Sequence, residues 1–386
     1  MRLSSFTLGS ANFLKFCKRL LPALLVARLL SSLGISLMLF APPLVSWVLA
    51  AAPDCTVPAN YVRLSECIGQ DNSVVIGGDQ GTGSCKGART NAYIDKSGLA
   101  VGQIIINSGS SLKLFDDTAQ SQLDAILTLQ TTGIQDLGSL EIGSAACPIG
   151  TTKPATKVVV TFTGQKTSCG NSSCAGYIKG IEVGSEGASG GTLRMYGLKG
   201  VPPNGISWTH LSRPAGDSSI YSAANGVAAP AVDDANVIYT TEDVGTGAGA
   251  WHPGDWIVIA TTSFSPWESE FAEILIVEPN KNPKKLGASK ITLAPKQKLK
   301  FYHFGGPDHG DPATQTNYTA GASLNYGVDE RAEVGLVSRN IMLTSDADTS
   351  PDNRHWGGEL RFLAKFDAVS LQGVELQKFG KVPVKE

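Results

Sequence analysis

The chain has 386 residues, 43 of them glycine, and only 17% of it is charged. Roughly 7% glycine and 25% charge is the average for a soluble protein, so this balance favours short strands joined by tight turns and argues against a helical bundle. With 32 basic and 34 acidic residues the net charge is −2, which argues against nucleic acid as a partner.

The first 52 residues stand apart. Arg2, Lys15, Lys18, Arg19 and Arg28 are their only charges, and the first acid is Asp54. Residues 29–52 carry no charge, and about 20 apolar residues suffice to cross a bilayer. The segment reads either as a membrane anchor with its basic end inside or as a cleaved signal peptide, with Pro42, Pro43 and the small residues after them favouring cleavage. Both readings put the remainder outside the cytoplasm, secreted or anchored at the cell surface. There 27 basic residues face 34 acidic ones, so a polyanionic partner needs a local basic patch.

Residues 53–90 read as an irregular cap rich in Gly, Ser and Asp. They hold Cys55, Cys67 and Cys85; Cys147, Cys169 and Cys174 follow. Six cysteines outside the cytoplasm suggest three disulfides, and 15 pairings are open. Cys169 and Cys174 flank a four-residue loop tip and are expected to pair with each other. No CxxC pair and no neighbouring histidine supports a metal site, and no motif calls for a cofactor. Asn171 and Asn317 open glycosylation sequons.

Beyond the cap, short apolar runs alternate with turn residues. Gln103–Ile106 and Leu112–Phe115 read as strands around Gly109. A short helix is expected over residues 119–129. Strands follow at Val158–Thr163, Thr192–Tyr196, Trp256–Ala260, Ile274–Val277 and Lys290–Leu293. Their spacing fits a sandwich or a solenoid better than a sheet wound with helices. Near the end, Leu360 and Phe362, then Val369 and Leu371, then Val374 and Leu376 alternate in successive runs with Gly373 at a corner. This resembles one rung of a parallel β-helix, which needs about three repeats to bury its core, so the sequence reads as cut short.

Several stretches carry a family resemblance. Gly190–Gly197 followed by Ile206–Leu211, with Trp208 inside it, is similar to the glycine-led strand and Ser-Trp-Thr of the G8-domain family. Trp251-His252-Pro253-Gly254-Asp255-Trp256, running on to Thr262, looks like the family's Trp-x-Pro-Gly-Asp motif, and Glu270 falls on a family glutamate. Val328–Ile341 is the longest match, and Gly357–Leu360 and Val374–Gly380 resemble the opening of the β-helix that follows. The resemblance implies an all-β fold: a G8 domain over 91–280, a Lys-rich connection over 281–327, and the start of a right-handed parallel β-helix over 328–386. It further implies an extracytoplasmic protein that binds a hyaluronan-like polysaccharide, with depolymerase activity dependent on further rungs. The alternative is a non-catalytic structural or adhesive module.

Each candidate site residue has two readings. His303, among aromatics, suits a general acid or base near neutral pH or a packed, hydrogen-bonded histidine. Asp329, Arg331 and Glu333 alternate on one strand face. They form either a carboxylate pair for glycoside hydrolysis or an arginine clamped by two carboxylates. Lys285, Lys296 and Lys298, within a lysine-rich stretch at 281–300, suit a polyanionic glycan or a solvated hairpin edge. Asp255, after Pro-Gly, suits a turn, and with Trp208 and Glu270 it is assigned a structural role. Trp251, Trp256, Trp267 and Trp356 either stack on sugar rings or fill the core.

Overall fold

The computed structural model describes residues 55–116, 126–164, 179–187, 190–216, 236–281, 287–306, 329–346 and 357–380. The leader with its anchor or signal reading, Cys17, Cys169, Cys174, Lys285, Trp356 and both sequons lie outside these residues.

The described chain is all-β. Short strands succeed one another: β1 (Val62–Arg63), β2 (Val74–Ile76), β3 (Asn91–Tyr93), β4 (Leu99–Ala100), β5 (Gln103–Ile106) and β6 (Ser111–Leu114). Then come β7 (Ile126–Thr131), β8 (Gly133–Asp136), β9 (Ser139–Ile142), β10 (Lys157–Phe162), β11 (Gly180–Val183) and β12 (Thr192–Tyr196). Strands β2 to β9 each pair in parallel with the strand three places on, and β1 pairs with β3, so the chain coils around three faces. Parallel coils therefore begin at Val62, inside the stretch expected to be an irregular cap and far ahead of residue 328.

An antiparallel unit interrupts the coil after β12. It comprises β13 (Trp208–His210), β14 (Val237–Thr240), β15 (Trp256–Ile259), β16 (Glu270–Pro279), β17 (Ser289–Leu293) and β18 (Glu333–Leu336), in the order β13-β18-β15-β16-β17-β14. The solenoid resumes with β19 (Ile341–Ser345), β20 (Glu359–Phe362), β21 (Ala368–Gln372) and β22 (Val374–Leu376), which stack on β10, β11, β12 and β19. Gly373 turns the corner between β21 and β22 at φ +60°, and a Cβ there would collide with the Gly197 carbonyl.

The two parts have separate cores because each buries its own alternating residues. In the solenoid, inward side chains stack in register: Leu112 on Leu140 on Leu193, and Leu127 on Val158 on Ile341. In the antiparallel unit, Trp251, Ile257, Ile259, Ala272, Val334 and Leu336 are buried together. The helix expected over 119–129 is corrected in its described part: Ile126–Thr131 is strand β7, with Leu127, Leu129 and Thr131 inward and the residues between them exposed. A period of two, paired against β10, decides for strand. Cys67 bonds Cys85 beside the first coil, and Cys55 bonds Cys147.

Candidate functional site

The motif residues near 255 and 340 meet where the antiparallel unit joins the solenoid. Lys199 Nζ lies 2.6 Å from Asp255 Oδ1, and Asp255 Oδ2 accepts the His252 amide at 2.7 Å. Both partners of this ion pair are buried. Ser338 Oγ accepts the Trp256 amide at 2.9 Å. Asn340 accepts the Lys199 amide at 2.6 Å and donates to the Thr156 carbonyl at 2.8 Å and the Pro154 carbonyl at 3.2 Å. Removing one partner from such a network strands a buried polar group, which accounts for this stretch without any chemistry on a ligand.

His303 is fully buried. Its Nδ1 lies 2.9 Å from the Ala260 carbonyl and its Nε2 3.0 Å from Glu270 Oε2. Both ring nitrogens are thus occupied by neighbouring groups of the protein. Glu270 also accepts the amides of Lys300 and Phe301. Burial pushes its carboxyl up, but the bonds from His303, Lys300 and Phe301 outweigh this and hold it below its ordinary range. The pair ties the end of β15 to β16 and to the strand-like Ala215–His303 bridge.

Asp329 and Arg331 are brought together and Glu333 points elsewhere. Arg331 Nε and Nη2 donate to the two Asp329 oxygens at 2.9 and 2.6 Å, and Nη1 reaches Thr241 Oγ1 at 3.1 Å. The side-chain bond from Arg331 holds the Asp329 carboxyl below its usual range. Glu333 is exposed on the outer face of β18. His303 makes its bonds to Ala260 and Glu270. Among the described residues no group of three His, Cys, Asp or Glu could hold a metal ion.

The outer face of the antiparallel sheet is where exposed chemistry gathers. Trp208 lies opposite Gly335, Gly335 opposite Val258, and Val258 opposite Phe271. Trp256 stands two residues along β15 on the same face. Trp208, Trp256 and Phe271 are 53, 40 and 62% exposed. Trp208, assigned a structural role from the sequence, thus turns outward while Thr209 beside it is buried. Gly335 leaves a low saddle between Trp208 and Val258, since a Cβ there would press on Val258. Three strand spacings put Trp208 and Phe271 about 14 Å apart. The loop joining β15 to β16 adds the fully exposed Phe264 and Trp267. Trp251, by contrast, is core, with its Nε1 donating to the Ile206 carbonyl at 2.6 Å.

Lysines border this face. The segment 294–301 runs beside the first half of β16: Ala294 N donates to the Glu273 carbonyl, Gln297 accepts the Glu273 amide, and Lys300 N donates to Glu270. Lys296 and Lys298 are exposed on it, whereas Lys290 on β17 pairs with Glu278 at 2.8 Å. Glu273 and Glu333 lie on the sheet face itself, and Glu278 lies on it beyond the β16 bulge.

A buried acid, like Lys199 above, escaped the sequence reading. Asp136 ends β8 pointing inward, in register with Ile76, Ile106 and Val183. It is fully buried, its Oδ1 accepts the Gly138 amide at 3.0 Å, and its Oδ2 has no hydrogen-bond partner among the described residues. Burial pushes its carboxyl up to about 7. The available signal was an acid two residues after Ile134, on the inward face of the strand.

The geometry and the motifs agree with one class of protein. Residues 87–212 match the family model of the G8 domain. Its match begins just before β3 and ends in the first strand-turn of the antiparallel unit. A "Cell surface hyaluronidase" of Danio rerio is 30% identical over 141 residues, covering 34% of this chain and 8% of the relative. The "Cell migration-inducing and hyaluronan-binding protein" of Homo sapiens is 28% identical over 159 residues, covering 38% of this chain and 10% of the relative. The Mus musculus protein of the same name matches over the same share. The chain therefore spans no more than 10% of the length of these relatives.

Proposed function

We propose that this chain is an extracytoplasmic polysaccharide-binding protein whose antiparallel sheet grips a polyanionic, hyaluronan-like chain. The observation that carries the reading is the aromatic row Trp208–Phe271 with Trp256, bordered by Lys296 and Lys298. Flat aromatic faces accept the C–H faces of sugar rings, and the lysines supply attraction for carboxylates. Lys285 belongs to the same lysine-rich stretch and is included in this reading. The names of the relatives, one a hyaluronidase and one hyaluronan-binding, point the same way. Two disulfides fit an oxidising compartment outside the cytoplasm, whether the protein is secreted or held by residues 29–52.

Binding is favoured over cleavage within this chain. His303, Asp329 and Arg331 spend their polar groups on neighbouring residues. The test is titration of the purified protein with size-defined hyaluronan oligomers at low and at physiological salt. Trp208→Ala with Trp256→Ala, and separately Lys296→Glu with Lys298→Glu, are each expected to weaken binding about tenfold, near 1.4 kcal/mol. The lysine variant should lose the salt dependence, because surface charge is screened over about 8 Å at physiological ionic strength. Unchanged affinity of both variants at low salt would take binding off this face, and no binding by the parent would leave only the structural or adhesive module.

A further inference from the structure

A second surface, on the solenoid, goes beyond that reading. The sheet β1-β3-β6-β9-β12-β21 turns its outward residues into two ladders. One runs Asn91, Ser111, Ser139, Thr192; the other runs Tyr93, Lys113, Glu141, Arg194. An open trough of ≈ 380 Å³ lies along the first ladder, reaching from Tyr61 before β1 to Asp367 before β21. Six strands at roughly 4.8 Å apart make it about 24 Å long. Its volume is in the range of small-molecule sites, about 300–1,000 Å³.

The chemistry of the lining narrows the ligand. Side-chain hydroxyls and an amide dominate, and they are already held in place: Ser111 Oγ donates to Asn91 Oδ1 at 2.7 Å and Ser139 Oγ to Glu141 Oε1 at 3.2 Å. The charges cancel locally. Glu141 is bound by Lys113 at 2.8 Å and by Arg194 at 3.1 Å, and Asp367 closes the far end. A trough without a net positive field does not select phosphate or nucleic acid, and one without an apolar floor does not select lipid. What remains is a long, uncharged, hydroxyl-rich chain. Its units advance along the axis by close to one strand spacing each, which is about the length of one pyranose ring. Gly138, which lines the trough, packs its backbone so closely on the preceding turn that a Cβ there would strike the Ser110 carbonyl.

We infer that this trough is a binding site for a neutral oligosaccharide, lying along the solenoid axis and separate from the aromatic face. The test uses the full-length protein and a β-linked hexamer of N-acetylglucosamine as probe, followed by calorimetry. Ser139→Trp fills the trough from its outward side without touching the core, and Asn91→Ala with Ser111→Ala removes polar partners with little change in bulk. The expected result is binding that does not weaken with salt, with Kd raised at least about tenfold by Ser139→Trp, several-fold by the double variant, and not at all by Trp208→Ala with Trp256→Ala. Melting temperatures within a degree or so of the parent for the double variant separate lost binding from lost folding. No binding of the hexamer at millimolar concentration overturns the site. So does binding that is indifferent to both trough variants or is abolished by the tryptophan variant, since the aromatic face would then hold the probe.

Discussion

At the scale of single residues, two carboxyl groups, one partly buried and one fully buried, push stability in opposite directions with pH. Glu270 is held below the ordinary 4.5 of a glutamate. Its folded-state pKa is depressed, so its contribution is complete above pH ~4.5 and disappears as pH falls through the folded value. Asp136 is raised from 3.8 to about 7. Its contribution is fully present below pH ~4 and is lost as pH rises to about 7, at up to roughly 1.4 kcal/mol per unit. Asp136→Asn keeps an acceptor for Gly138 and removes that loss. Melting curves from pH 4 to 8 should therefore flatten in the variant, which should melt higher than the parent at pH 8; an unaltered slope between pH 4 and 7 would count against a buried neutral acid. His303→Ala should cost about 1–3 kcal/mol by removing the hydrogen-bond partner of Glu270 and of the Ala260 carbonyl, read as a lower denaturant midpoint at neutral pH. Asp136 was open to detection as an acid on an inward strand position. The Glu270–His303 pair was not, because 33 residues separate the partners and only the fold joins them.

At the scale of elements, strand positions are legible because a period of two survives wherever one face is buried. Gln103–Ile106 and Thr192–Tyr196 stand where alternation puts them. The coil is hidden for a physical reason. Strands of the first face begin at Asn91, Ser111, Ser139, Thr192 and Ala368, a spacing that never repeats, because turns and the whole antiparallel unit sit between rungs. Periodicity finds rungs only when the insertions are equal. The aromatic row is hidden likewise: Trp208, Gly335, Val258 and Phe271 come from four strands and are aligned only by antiparallel register. The segment entering β18 illustrates how a charged motif serves an element. Arg331→Ala should release Asp329 and Thr241 and cost about 2 kcal/mol, the range for hydrogen bonds to charged groups. A lowered melting temperature and reduced secretion are expected. A variant that melts normally would move Asp329, Arg331 and His303 back to candidate chemistry.

At the scale of the whole molecule, one solenoid carries an antiparallel sheet as an insertion within a single coil, and buried polar bonds fix the join. Lys199–Asp255 and the three bonds of Asn340 connect segments up to 186 residues apart in sequence. Such a frame presents two different surfaces to solvent: an aromatic face edged with lysine and a neutral polar trough. The division of labour follows from what each sheet turns outward, since the inward residues of both are committed to their cores. The proposal that the charged motif supports the frame while the aromatic face holds ligand has one direct test. Purified protein is incubated with size-defined hyaluronan, and both retention of the polymer and its length are measured on the same samples. Retention that weakens with salt, with polymer length unchanged, is the predicted result. Shortened polymer in the parent that stays full length with a normally melting Arg331→Ala variant would contradict it.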